Sequence, residues 1–312
     1  MGGASRAVGI VLGYAADRAF GDPHRFHPVA GFGRTAAALE KRMYADNRAA
    51  GAAYTILLIG ATTIAAAAVQ RSTKTRPVAE AITTAVATWA VLGGRSLERE
   101  AATMSELLAD NDLPAARQRL GHLCSRDATD LDSDELARAT VESVAENSSD
   151  ACVAPLLWGG VAGLPGLLGY RAVNTLDAMV GYRSKRHANF GWASARLDDL
   201  ANLVPARVCA VLAGLAARRP AQAWRAWRND AGKHPSPNAG PVEASFAGAL
   251  GLTLGGANAY GDEVEDRGTL GGGPRPRPAD IGRVADLSRR VGLAAAALAV
   301  VLSLRPRSKR RG

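Results

Sequence analysis

Three glutamates, Glu135, Glu142 and Glu146, stand seven and four residues apart in the polar stretch SDELARATVESVAENSSD, which follows Arg126 and Asp127. Ser133 is a good N-cap and is followed by two acids, so a helix is predicted to start there. At about 100° per residue the three carboxylates fall within about 40° of one another, with Val141 and Val144 largely opposite. One helix face then concentrates three acids, and Asn147 and Asp150 extend it. Such a group suits a hard cation such as magnesium, held by Glu142, Glu146 and Asp150, or an amine that must lose a proton. On a soluble helix the ordinary outcome is a solvated acidic face. Here, however, the helix runs straight into an uncharged apolar stretch at Ala151.

A second set lies in NTLDAMVGYRSKRH and NFGWASARLDDLANLVPARV. If residues 194–204 are helical, Leu197, Leu200, Ala201 and Val204 form an apolar stripe. Asp198, Asp199 and Asn202 then take the other side. Burying the stripe turns Arg196, Asp198, Asp199 and Asn202 toward a site, where they are expected to face the 142–150 helix as its second wall. Asn174 and Asp177 lie just upstream. Arg183, Lys185 and Arg186 suit a phosphate, or mark a cytoplasmic flank under the positive-inside tendency.

Two shorter stretches complete the inventory. Asp22, Pro23, His24, His27 and Pro28 form a loop whose histidines, three apart and lacking a third ligand nearby, suit hydrogen bonding better than metal. The turn Lys233-His-Pro-Ser-Pro-Asn-Ala-Gly-Pro, with Glu243 soon after, opens a helix whose N-terminus can receive an anion near Ser236 and Asn238. No GxxxxGK[ST] occurs, so a P-loop nucleotide site is unsupported. Asp262, Glu263, Glu265 and Asp266 read as a solvated loop.

The elements that must position these residues are helices. Of 312 residues 47% are hydrophobic, and Ala plus Gly make up roughly a third, which lets helices approach closely. Residues 52–69 are uncharged over about a membrane-spanning length, and 78–94 repeat the pattern with one acid, Glu80. The short basic loop QRSTKTRP between them makes a helical hairpin. Residues 151–170 are also uncharged, but two prolines and five glycines break them (Pro155, Gly159, Gly160, Gly163, Pro165, Gly166, Gly169), so a kinked or re-entrant element is expected. Residues 203–217 and 291–304 are spans or buried helices. The apolar stretch Ala7–Ala16 resembles a signal-peptide core, but Asp17 follows at once without a convincing cleavage site. GGGPRPRP at 271–278 is a linker or exposed loop.

Arg305, Arg307, Lys309, Arg310 and Arg311 supply five of the net nine positive charges. The remainder lacks the broad basic face with interleaved aromatics of a nucleic-acid binder. Cys124, Cys152 and Cys209 are too widely spaced to signal a disulfide framework or a zinc site. The expected fold is all-α: a polytopic membrane bundle with one broken segment, forming a single domain over 1–304 with a basic tail at 305–312.

The blocks LGYAADRAFGDPHRFHPV, RDATDLDSDELARATVESVAENSSDACVAPLLWG, YRAVNTLDAMVGYRSKRHANFGWASARLDDLANLVPAR, SPNAGPVEA and LGGANAYG occur in this order nearly end to end. They resemble the CobD/CbiB family of cobalamin biosynthesis, the adenosylcobinamide-phosphate synthases. The basic tail and the acidic 262–266 run have no match in that resemblance. It implies a multi-pass enzyme of the cell membrane, with its site segments cytoplasmic, that joins aminopropanol or its phosphate to a propionate of adenosylcobyric acid. The implied co-reactants are ATP and magnesium, forming an acyl phosphate, and the implied partners are the bilayer and other enzymes of the pathway. Within the matched blocks, Glu142, Glu146, Asp198 and Asp199 are the catalytic candidates. Asp22, His27, Asn147, Asp150, Asn174, Asp177, Arg183, Lys185, Arg196, Asn202, Ser236 and Asn238 are candidates to bind substrate. A transporter of a corrinoid or anionic solute is the rival reading, and it predicts functional charges within spans, whereas the acids and bases here are expected in the segments between spans. A scaffold for soluble enzymes predicts no activity of its own.

Overall fold

The computed structural model describes residues 2–22, 27–181, 186–260 and 263–305. In chain order the helices are α1 (Gly2–Phe20), α2 (Pro28–Met43), α3 (Arg48–Thr73), α4 (Pro77–Val91), α5 (Gly94–Ala109), α6 (Leu113–Leu120), α7 (Ser133–Ser148), α8 (Ala154–Ala162), α9 (Leu164–Leu176), α10 (Trp192–Ala216), α11 (Pro220–Asp230), α12 (Ala239–Leu250) and α13 (Pro278–Leu304). A two-stranded antiparallel hairpin, β1 (Thr253–Tyr260) and β2 (Glu263–Gly271), is the one sheet among the described residues. Part of the acidic run read as a loop is therefore strand.

Among the described residues three helices, α3, α10 and α13, are long and apolar enough to cross a bilayer. Their apolar residues point outward: only 22% of the apolar window of α3 is buried, and Ile56, Leu57 and Ile64 are exposed. In water such a row would be a large unpaid exposure, whereas lipid tails cover it at no cost. The chain is an all-α integral membrane protein.

It divides into two compact units. One comprises residues 1–93, 154–202 and 295–312, the other 94–153 and 203–294. In the first, α4 packs mainly along α1 and α3 mainly along α9. The expected pairing of the 52–69 and 78–94 segments is thus a connection in sequence more than a packed hairpin. The reason is shape: Gly9 and Gly13 of α1 admit Thr84, Ala85 and Thr88 of α4, where a Cβ would collide at 2.5 Å. Tyr54, Leu58, Ala36, Leu176, Val180 and Phe190 form a core beside them.

The 151–170 segment is broken as its prolines and glycines predict. A π-helical turn (Ser149–Val153) leads to α8, which at nine residues is far too short to cross a bilayer. Gly163, at φ +76°, turns the chain into α9, which packs back on α8. A side chain at 163 would meet the Gln70 amide oxygen at 2.1 Å, and that same oxygen accepts the Leu164 N–H at 2.8 Å. The break thus has its freed amide satisfied by protein, as the apolar surroundings require. A second π-helical turn, Asp177–Gly181, follows α9.

In the second unit, α11 packs on α12 and α5 on α7, and Arg119 of α6 grips Glu100 of α5 through two hydrogen bonds at 2.6 and 2.8 Å.

Candidate functional site

α7 starts at Ser133 but is capped by Asp132, whose carboxylate accepts the Glu135 N–H while Glu135 returns a bond to the Asp132 N–H. Glu135 therefore serves the cap. From Leu136 to Ala145 the helix is buried on every side, so the solvated acidic face of an ordinary soluble helix is not formed there. Glu142 is 1% exposed. One of its oxygens accepts from Arg126 Nη2 at 2.6 Å. The other accepts from Arg138 Nη1 at 3.2 Å and from the Gly255 N–H at 2.7 Å. Arg138 also donates to the Gly255 carbonyl and to Asn258 Oδ1. A bulge between Gly255 and Ala257, with Gly255 and Gly256 at φ +83° and +96°, turns this peptide toward α7.

That arrangement corrects the magnesium assignment for Glu142: its oxygens are engaged by two guanidiniums and an amide. Asn147 donates back to the Ser143 carbonyl of its own helix, and Asp150 lies in the π-helical turn beyond α7. Among the described residues no three His, Cys, Asp or Glu side chains converge as metal ligands. Glu146 remains partly open, with Arg267 at 4.0 Å.

Arg267, on β2, also reaches Glu243 at 3.3 Å and Glu265 at 3.2 Å. Glu243 is wholly buried. Burial, then the Glu142 and Glu146 carboxylates, push its carboxyl well above the usual range, against the pull of Arg267 and Arg126. His234 Nδ1 accepts the Ser236 N–H at 2.9 Å, so a neutral ring carries its proton on Nε2, 3.6 Å from Glu243. Burial first, and the nearby Arg267 charge, lower its pKa to about 4, which keeps it neutral at pH 7. His234 Nε2, Glu243 Oε2, Ser245 Oγ and Asn258 Nδ2 are buried without a hydrogen-bond partner among the described residues. Each such group costs about 1–3 kcal/mol, and together they mark a place built to meet a polar ligand. A neutral His N–H and Arg267, beside a carboxyl held well above its usual range, form a donor set suited to an anionic oxygen. None of His234, Glu243, Asn258 and Arg267 was singled out as a site candidate from sequence, although the blocks SPNAGPVEA and LGGANAYG contain Glu243 and Asn258.

The helix N-terminus after Asn238 is used locally. Ser236 Oγ accepts the Asn238 and Ala239 N–H groups, and Asn238 Oδ1 accepts from Arg207.

The first unit holds the second cluster. α10 reverses the expected facing: Leu200 and Val204 of the apolar stripe are 64% and 63% exposed, whereas Asn202 is 2% exposed. In lipid the apolar stripe belongs outside and the polar face inside. Asp198 Oδ2 accepts from Asn202 Nδ2 at 2.9 Å, Asp198 Oδ1 from Asn174 Nδ2 at 3.5 Å, and Tyr170 donates to Asn202 Oδ1 at 2.9 Å. No Lys, Arg or His pairs with Asp198 among the described residues, so its carboxylate is fit to take a proton or hold an ammonium. Asp177 begins the π-helical turn after α9. Asp199, by contrast, faces Arg196 at 3.5 Å on the exposed side. Asp198 lies in a helix long enough to cross the bilayer, so the expectation that ionisable groups lie only between spans is corrected.

His27 takes the hydrogen-bonding role expected of it: Nδ1 caps α2 through the Val29 N–H, with Asp22 3.9 Å from the other ring nitrogen. Arg183 and Lys185 lie outside the described residues. Arg186 and His187 pair with Glu40, and Arg186 stacks on Tyr44 at 4.0 Å. Against its burial, hydrogen bonds with His187 and Arg186 hold the Glu40 carboxyl below its usual range.

These clusters fall within sequence shared with known proteins. The family model described as CobD/Cbib protein matches residues 10–288. The chain is 53% identical over 308 residues to "Cobalamin biosynthesis protein CobD" of Mycobacterium tuberculosis (strain ATCC 25618 / H37Rv), covering 97% of each chain. It is 43% identical over 293 residues to the protein of that name from Chromobacterium violaceum (91% of this chain, 92% of the relative). The Rhodobacter capsulatus protein of the same name is 42% identical over 307 residues, 96% of each. No solved structure gives a significant match. With the family model spanning most of the chain and relatives aligned nearly end to end, this chain belongs to the CobD/CbiB family.

Proposed function

We propose that the protein acts in cobalamin biosynthesis as an amide-forming enzyme, joining aminopropanol or its phosphate to a propionate carboxylate of adenosylcobyric acid. Family membership and the relatives' names support the pathway. The observation that carries the chemistry is Asp198, a carboxylate held by two amides with no Lys, Arg or His paired to it among the described residues. An alkylammonium is no nucleophile until it loses a proton, and Asp198 both attracts it and accepts that proton. The other reactant, an ionised carboxylate, is a poor electrophile and needs activation by ATP, with magnesium carried on the nucleotide. By themselves, His234, Glu243 and Arg267 of the second unit offer hydrogen bonds suited to binding an anionic group of a substrate. Of the three acids expected to bind magnesium, Glu146 is the one that fits as a contact to it. ATP use places the working face in the cytoplasm, with the chain in the cell membrane.

The test is direct. Protein in nanodiscs, given adenosylcobyric acid, ATP, magnesium and either aminopropanol or its phosphate, is expected to form the amide, detected by mass spectrometry. Absence of product with both amines, from protein shown to be folded, would favour a scaffold. Uptake of the corrinoid into vesicles without amide formation would favour a transporter.

A further inference from the structure

Two helices of the second unit pass from outward apolar residues to arginine at the same cavity. On α10 the outward residues Val211 and Leu215 are 49% and 58% exposed, and the chain then turns through Arg218, at φ +57°, to Arg219. On α13 the exposed Leu293 lies just beyond Arg289 and Arg290. Between them is a cavity of about 240 Å³ lined by Arg219, Arg283, Arg290, Asp286, Leu250 and Leu287, among others. Three arginines line it with a single acid, Asp286. Arg283 pairs with Asp280 and bonds the Leu250 carbonyl, and Arg289 and Arg290 share Asp286. Arg219 is left, exposed and without an ion-pair or hydrogen-bond partner among the described residues.

Next in sequence is α11, which buries Ala223 and Ala226 and exposes Arg225, Arg228 and Trp224, whose ring meets Trp227 edge-on at 5.2 Å. Tryptophan and arginine at the end of an apolar span are the composition of a membrane interface. We propose that this cavity holds the phosphate of an anionic lipid headgroup, gripped by Arg219 and Arg290, with the acyl chains lying on the outward apolar residues. The charge is complementary, and the apolar rows that would meet acyl chains end at the cavity, which a free phosphate would not use. The site shares no residue with either polar cluster.

Full-length protein in detergent, titrated with phosphatidylglycerol or phosphatidylcholine and read by native mass spectrometry, tests this. Wild type is expected to retain phosphatidylglycerol preferentially, and Arg219→Gln to weaken that retention about fivefold. Arg219→Lys keeps most of it, and Arg225→Gln, outside the cavity, leaves it unchanged. Arg290→Gln reads the same cavity should Arg219→Gln fold poorly. Inorganic phosphate or aminopropanol phosphate in large excess should leave the lipid in place. Equal retention of the two lipids, unchanged retention in both cavity variants, or displacement by free phosphate would each overturn the proposal.

Discussion

α7 carries a buried acid and α10 a half-buried one, and they treat it in opposite ways. Glu142 of α7 is met by Arg126, Arg138 and a backbone amide, so both its oxygens are occupied. Among the described residues, Asp198 of α10 is met by the amides of Asn174 and Asn202 and by no Lys, Arg or His. A buried charge without a countercharge is costly to keep. The comparison teaches that the acid closest to ideal pairing holds the fold together, and the acid left without a cation is the one placed for chemistry.

Substitutions can break this contrast. Asp198→Asn should lower amide synthesis by about 10²–10⁴-fold, the usual contribution of a positioned acid or base, while thermal unfolding in detergent shifts little. Near-normal turnover would remove Asp198 from the chemistry. Glu142→Gln should do the reverse, leaving two buried guanidiniums uncompensated at a cost of about 3–5 kcal/mol. Its first sign is lost expression or a much lower Tm. A stable Glu142→Gln protein that is merely inactive would mean the two acids have exchanged roles.

pH gives a finer probe. An unfolded histidine takes up its proton near 6.5, and buried His234 only near 4. Its contribution to stability is therefore complete above about pH 6.5 and falls as the pH drops toward 4, by about 3 kcal/mol in all. Glu243 works with the opposite sign, stabilising below its unfolded value of 4.5 and losing that contribution as pH rises, because its carboxyl is held high. Comparing Glu243→Gln with Glu243→Gln/His234→Gln isolates the histidine: the double variant should lose the decline between pH 6.5 and 4. An unchanged decline would assign it to other groups. The smallest effect belongs to Asp199→Asn, which breaks an exposed pair worth about 0–1 kcal/mol and should leave turnover within about twofold. A large loss of activity there would show that the exposed side of α10 also meets substrate.

Much of this was legible in the sequence, for physical reasons that also mark where legibility stopped. Uncharged length announced α3 and the apolar end of α13, and proline with glycine announced the break at Gly163. The facing of α10 was inverted because periodicity finds a stripe without saying whether its apolar side meets protein or lipid. The β-hairpin was hidden because Gly255 and Gly256 lower strand propensity and the acids of β2 read as solvated. Asp198 and Asn202 were found because they recur on one helix face. Arg126 with Glu142, and His234 with Glu243 and Arg267, come together only through tertiary folding, and no spacing rule pairs them.

Pro205 sits inside α10 and has no N–H to offer the Ala201 carbonyl one turn earlier. That carbonyl instead receives the indole N–H of Trp158, from α8, at 3.1 Å. A missing hydrogen bond thereby becomes an index mark: α10 has one carbonyl that only one rotation about its axis brings to the indole. Ala201 is three residues from Asp198, so the bond that sets this rotation also sets where the carboxylate points. The aim of the acid is fixed by a tryptophan that never touches it.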